Sequence, residues 1–198
     1  MSPSVKSSLL FSPLTIRGVT LKNRIVVSPM CQYSAEDGFV NDWHLVNYGS
    51  FATGGAGLVM VEATGVEARG RISPGCPGIW KDEHIEPLQR VTKFIKSQGA
   101  VAGIQLGHGG RKASTVAPWV GRNSIADEDG GWPTIGPSPV EFGDHVWKVP
   151  KEATIEDIEE IKNSWVSAAK RAVKAGFEVF ITQSNNFYPN LLKIYYSI

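Results

Sequence analysis

Cysteine is scarce in this chain. Cys31 and Cys76 are the only two among 198 residues, too few for a disulfide framework and in keeping with a reducing compartment. An excess of either charge is also missing: 20 Lys and Arg stand against 19 Asp and Glu, a formal net charge of +1. No basic block or face is present to attract a polyanion, so nucleic acid is not an expected partner. Long apolar runs are absent as well. The longer ones, such as residues 25–27 and 57–61, fall far short of the roughly 20 residues that a membrane span needs. The N-terminus offers one lysine and then only Leu9, Leu10 and Phe11 before a polar and proline break, too little for a secretory core. No membrane association is expected, and a cytoplasmic location is the simplest. What the chain does have, 42% hydrophobic and 20% charged residues, is the make-up of one globular domain.

Buried-strand runs alternate with helical patterns, which predicts repeated βα units. Residues 14–17 and 20–22 around Gly18 read as a small hairpin. Residues 24–29 are apolar enough for a first strand buried on both faces. Trp43, Leu45, Val46, Tyr48 and Phe51 fit a helix capped by Asp42 and ended near Gly54 and Gly55. A second strand follows at 57–63. Ile85, Leu88, Val91, Phe94 and Ile95 mark a helix within 82–99, and a third strand spans 101–106. Residues 107–150, rich in Gly, Pro, Trp and Ser, read as a long excursion of the kind that is usually functional or flexible. Thr154 and Asp157 have capping-box spacing ahead of a helix that ends at Gly176, and 177–182 reads as a fourth strand. A partial barrel and an open parallel sheet both satisfy this spacing. No G-x-G-x-x-G follows the first strand, which weighs against a dinucleotide-binding sheet.

In a parallel β/α array, chemistry gathers where the strands end. The candidates there are Ser28-Pro-Met-Cys-Gln-Tyr33, Glu62-Ala-Thr64, Gln105-Leu-Gly-His-Gly-Gly-Arg-Lys112 and Thr182-Gln-Ser-Asn-Asn186. Cys31 is either a nucleophile activated by His44 or His108, or an unreactive, partly buried thiol. Gln105 offers a donor and an acceptor for the edge of a heterocycle, or simply stabilises the next loop. His108 has no partner at ligand spacing, so no metal site is expected. Arg111 and Lys112 either meet an anion or are solvated. Trp119, Trp132, Phe142 and Trp147 either line a pocket or form a small core of the excursion.

Several motifs stand in one order: Leu10-Phe-Ser-Pro-Leu-Thr-Ile-Arg-Gly-Val-Thr-Leu-Lys-Asn-Arg24, Val27-Ser-Pro-Met-Cys-Gln-Tyr33, Gly57-Leu-Val-Met-Val-Glu-Ala-Thr64, Gly70-Arg-Ile-Ser73, the Gln105 motif and Ala175-Gly-Phe177. Together they resemble the Old Yellow Enzyme family of flavoproteins, in its thermophilic-like ene-reductase subgroup. The resemblance covers residues 10–179 and implies the N-terminal half of an α/β fold, a (β/α)8 TIM barrel, here with about four strands, the hairpin and the excursion. It implies FMN held without a covalent bond, NADPH or NADH as reductant, and an NADPH dehydrogenase that reduces activated alkenes such as enones. By the same resemblance Ser28, Pro29, Met30, Cys31, Ala63 and Gln105 are flavin contacts, Cys31 tuning the ring, and Tyr33 meets substrate.

Beyond Phe177 the family carries two histidines, or a histidine and an asparagine, three residues apart, which anchor the substrate carbonyl. Gln183 and Asn186 occupy those places here, and Tyr188 falls at the proton-donor position with Phe187 in place of a glycine. Residues 180–198 read as a divergent tail, and the later strands that grip the FMN phosphate in such barrels have no counterpart. The expectation is an impaired, truncated enzyme. The alternative is an inactive fragment or an interaction module that pairs with a like half or a complementary chain through exposed barrel edges.

Overall fold

The computed structural model describes residues 8–143, 145–183 and 192–196. The chain opens with an antiparallel hairpin of β1 (Leu14–Ile16) and β2 (Val19–Leu21), with Thr15 opposite Thr20. Next come β3 (Val26–Val27), α1 (Asp42–Thr53), β4 (Leu58–Gly65), α2 (Ile85–Ser97) and β5 (Val101–Gly107). The excursion that follows holds β6 (Ile135–Gly136), paired in parallel with β7 (Lys151–Glu152) at its far end. Then α3 (Ile155–Lys174) leads to β8 (Val179–Gln183), and β9 (Leu192–Tyr196) ends the described chain. Strands β3, β4, β5 and β8 lie side by side and parallel, in sequence order, each joined to the next through a helix. That is the repeating unit of a (β/α) barrel, in partial form.

Alternation along the strands sorts side chains to two faces. Val59, Val61, Ala102, Ile104, Leu106 and Phe180 point outward and form the main core with Leu88, Val91 and Ile95 of α2 and Ala168 and Ala172 of α3. Leu58, Met60, Val101 and Val179 form a second cluster on the other face, closed at one end by Leu21 of the hairpin. On that inner face Gly103 leaves the room that Met60 fills, since a Cβ there would lie 2.2 Å from the Met60 sulfur. The helices end where the sequence marks them, with Gly99 and Gly176 in the left-handed region at φ +70° and +90°.

Two details differ from the sequence reading. The cap of α1 is Asn41, not Asp42: its side-chain oxygen accepts from Trp43 N–H at 3.1 Å, while Asp42 is the first helical residue. Both residue types cap well, and only the backbone decides between neighbours. The second concerns the barrel edge at β8, expected to be open. Strand β9 pairs with it antiparallel, from Val179 opposite Tyr196 to Gln183 opposite Leu192. The predicted capping box of α3 forms with both of its bonds, Asp157 N–H to the Thr154 hydroxyl at 3.2 Å and Thr154 N–H to the Asp157 carboxylate at 3.0 Å. Among the described residues no helix is long and apolar enough to cross a membrane.

Candidate functional site

A bulge in β4 builds the site. Val61 pairs with Ile104 and Ala63 with Gln105, so Glu62 is the extra residue between them. Simple alternation would turn Glu62 to the inner face and Ala63 to the outer one. The bulge reverses both. Glu62 goes to the helix layer, and Ala63 comes to lie beside Gln105 on the inner face, at the spacing of neighbouring strands. Gln105 is in turn opposite Ile181 of β8, and Gly107 is opposite Gln183.

Beyond this row, at the ends of β4, β5 and β8, lies a cavity of about 290 Å³. Ala63, Gly65, Gly107 and Gln183 supply its strand side, and Arg71, Lys112 and Trp147 its loop side. The loop after β3 brings Ser28, Pro29, Met30, Cys31 and Tyr33 to the same end of the sheet, with Met30 half exposed and Cys31 partly buried. Ala63 N–H donates to the Cys31 sulfur. The structure thus gathers Cys31, Ala63 and Gln105 and places Gln183 at the cavity wall. Asn186 and Tyr188 lie outside the described residues.

The aromatic residues of the excursion divide between both of their readings. Trp147 lines the cavity and packs edge-on against Phe142, and Lys112 lies 4.1 Å from the Phe142 ring centre. Trp119 packs edge-on against Tyr33 at 5.3 Å, and the Trp132 indole donates to the Arg69 carbonyl at 2.9 Å. His108 is buried and bonds Glu67 at 2.7 Å. Among the described residues no group of three or more His, Cys, Asp or Glu side chains could hold a metal.

Sequence reasoning missed the layer beneath the site. Glu62 is fully buried, accepts from the Gln32 backbone N–H at 2.8 Å and accepts from the Tyr48 hydroxyl at 2.7 Å. It therefore pins the loop that carries Cys31. His44, equally buried, accepts at Nδ1 from Asn41 N–H, and its Nε2 lies 3.6 Å from Glu62 with no hydrogen-bond partner. Burial raises the Glu62 carboxyl to about 7 and lowers the His44 imidazole to about 4. The pair accordingly holds few charges near neutral pH. The signal was visible as one acid inside Leu-Val-Met-Val-Glu-Ala, a position that an unpartnered carboxylate does not tolerate. Cys76, also missed, is buried, and its thiol hydrogen-bonds with that of Cys31.

Comparison with known proteins agrees with this geometry. A sequence profile of the NADH:flavin oxidoreductase / NADH oxidase family matches residues 9–195. The chain is 52% identical over 176 residues to the NADH:flavin oxidoreductase FG08077 of Gibberella zeae, covering 87% of this chain and 43% of that protein. It is 46% identical over 174 residues to an NADPH dehydrogenase of a Geobacillus species, covering 87% and 46%. The crystal structure of Old Yellow Enzyme from a Pichia species superposes with a TM-score of 0.74 at 25% identity, over 93% of this chain and 51% of that one. The chain spans about half the length of each of these proteins. With the barrel units, the bulge-set inner row and a family match along nearly all its length, the chain belongs to the NADH:flavin oxidoreductase / NADH oxidase family, that of the Old Yellow Enzymes.

Proposed function

We propose that this chain supplies the ring-binding wall of an FMN-dependent NADPH dehydrogenase that reduces activated alkenes such as enones. The observation that carries the reading is the inner row of Ala63 and Gln105, with the Cys31 loop at the same strand ends. Its chemistry suits an isoalloxazine. Gly65 and Gly107 leave the strand ends bare, Ala63 adds a single methyl, and the Gln105 amide can both donate to and accept from a pyrimidine edge. FMN, when bound, would accept hydride from NADPH and pass it to the alkene β-carbon.

The protein's part is to bind, orient and polarise. Ser28, Pro29, Met30 and Cys31 would meet one side of the ring, the Cys31 thiol adjusting its electronics without forming a covalent bond. Tyr33 would face the substrate. Gln183 and Asn186 would anchor the substrate carbonyl as neutral amides, which polarise it less than imidazoles do as charge develops. Tyr188 would deliver the proton. Within this reading residues 10–179 form the barrel part and residues 180–198 a divergent tail, and the 198 residues alone are impaired.

A second reading, association of the half-barrel with a like or complementary chain, draws on β3. This edge strand is two residues long, and its Val26 is half exposed. One experiment separates the two. The chain is mixed with FMN, passed through a sizing column, and assayed for bound flavin, particle size and NADPH-driven enone reduction. The enzyme reading expects a little retained flavin and no sustained turnover. Stoichiometric FMN with sustained turnover would contradict the impairment, and a colourless dimer would favour association.

A further inference from the structure

The chain's two cysteines lie 45 positions apart, yet the fold brings them together. The loop after β3 and the loop at residues 73–78 are joined by Ala35 N–H donating to the Gly75 carbonyl at 2.9 Å. They sit so close that a Cβ on Gly75 would lie 2.5 Å from the Tyr33 carbonyl oxygen. A second backbone bond, Gly78 N–H to the Gly38 carbonyl at 2.9 Å, closes the far end of the same contact. Between the loops the Cys31 and Cys76 thiols meet, and the Ser73 hydroxyl lies 3.5 Å from the Cys76 sulfur. Cys31 is partly open to solvent, whereas Cys76 is 1% exposed. One reachable thiol backed by one sheltered thiol is the arrangement of a peroxide-reacting and a resolving cysteine.

We propose that Cys31 and Cys76 form a reversible intrachain disulfide on exposure to a peroxide, removing the Cys31 thiol from the site at the strand ends. The hydrogen bond from Cys31, with the Ser73 contact, holds the Cys76 thiol down to about 6 against the opposing effect of burial. The pair thus shares one proton between two sulfurs. When that proton passes to Cys76, the Cys31 thiolate attacks one peroxide oxygen. An S–O bond forms, the O–O bond breaks, and hydroxide leaves to become water. Cys31 is then a sulfenic acid and the peroxide has been reduced. Deprotonated Cys76 next attacks the Cys31 sulfur: the S–S bond forms, the S–O bond breaks, and a second water departs. Two thiols and one hydrogen peroxide give one disulfide and two waters.

The linkage itself needs no flavin, so its failure and the failure of the flavin reading are separate results. The chain is treated with hydrogen peroxide, alkylated under denaturing conditions, digested and read by mass spectrometry. The expected product is a Cys31–Cys76 linked peptide from a monomeric chain, returned to two alkylated thiols by dithiothreitol. Cys76→Ser keeps a polar partner for Ser73. In it the link should vanish and Cys31 should progress to sulfinic acid about tenfold faster for want of a resolving thiol. In Cys31→Ala the sheltered Cys76 should stay alkylatable. Overturning results are both thiols alkylatable after peroxide has oxidised free glutathione in the same tube, links found only between chains, or Cys31 overoxidised equally in the parent and in Cys76→Ser.

Discussion

Glu62→Ala is expected to lower the stability of the chain by about 3 kcal/mol, because it leaves the buried Tyr48 hydroxyl and Gln32 N–H without their acceptor and opens a void beside them. Glu62→Gln keeps the shape and both acceptor contacts, so it should recover most of that loss. The two variants also differ in how they respond to pH. Burial raises the Glu62 carboxyl to about 7 from its ordinary 4.5, so between those values the folded chain binds a proton that the unfolded chain has released. Stability from this residue is fully present below pH 4.5 and is lost as pH rises through 7. Across that window the parent should weaken against Glu62→Gln by about 3 kcal/mol. His44 and the two cysteines are common to both proteins and largely cancel in the comparison. Urea melts of parent and variant at pH 5, 6, 7 and 8 read the difference directly. A gap that stays constant with pH would mean that Glu62 is already ionised in the fold at pH 5.

Gly75→Ala should have a comparable effect for a different reason. Its new Cβ would meet backbone, with the Tyr33 carbonyl oxygen at 2.5 Å and carbon at 2.7 Å. A flexible side chain could swing aside, but the Tyr33 backbone cannot move without displacing the whole loop. Tyr33 already occupies the left-handed region at φ +53°, uncommon for a tyrosine and maintained by its surroundings. The collision should cost about 2 to 3 kcal/mol, lengthen or break the bond from Ala35 N–H to Gly75, and part Cys31 from Cys76. Denaturant melts give the energy, and the rate of peroxide-driven disulfide formation reports the separation. An alanine variant with parental stability and parental disulfide rate would show that the two loops are less tightly joined than their backbone contact indicates.

Much of the fold was legible because its signals are local. Ile85, Leu88, Val91 and Ile95 fall on one helix face, Thr154 and Asp157 announce a helix start, and Gly99 and Gly176 mark helix ends. Residues 57–63 and 101–106 are apolar enough to be buried strands whatever surrounds them. The choice of Asn41 over Asp42 as cap was not legible, since two good capping residues stand side by side. The bulge at Glu62 was harder still. Strand alternation assumes a constant register, and a single added residue reverses every face beyond it without leaving a mark in composition. The resemblance placed Ala63 at the flavin, and only the bulge explains how Ala63 comes to share a face with Gln105. The thiol pair was hidden for a third reason: it depends on two loops meeting across 45 residues, a contact that no local pattern encodes.

The central claim is that Ser28 to Cys31, Ala63 and Gln105 form a flavin-binding wall, and one measurement tests it most directly. The chain is fused to the part of the Geobacillus NADPH dehydrogenase that it does not match, purified, and read by flavin absorbance for FMN content. A folded fusion should carry close to one FMN per chain, and Gln105→Leu, which keeps the bulk but loses both amide bonds, should weaken binding by about tenfold or more. A folded fusion that stays colourless with FMN in excess, or one whose affinity ignores Gln105, would contradict the assignment.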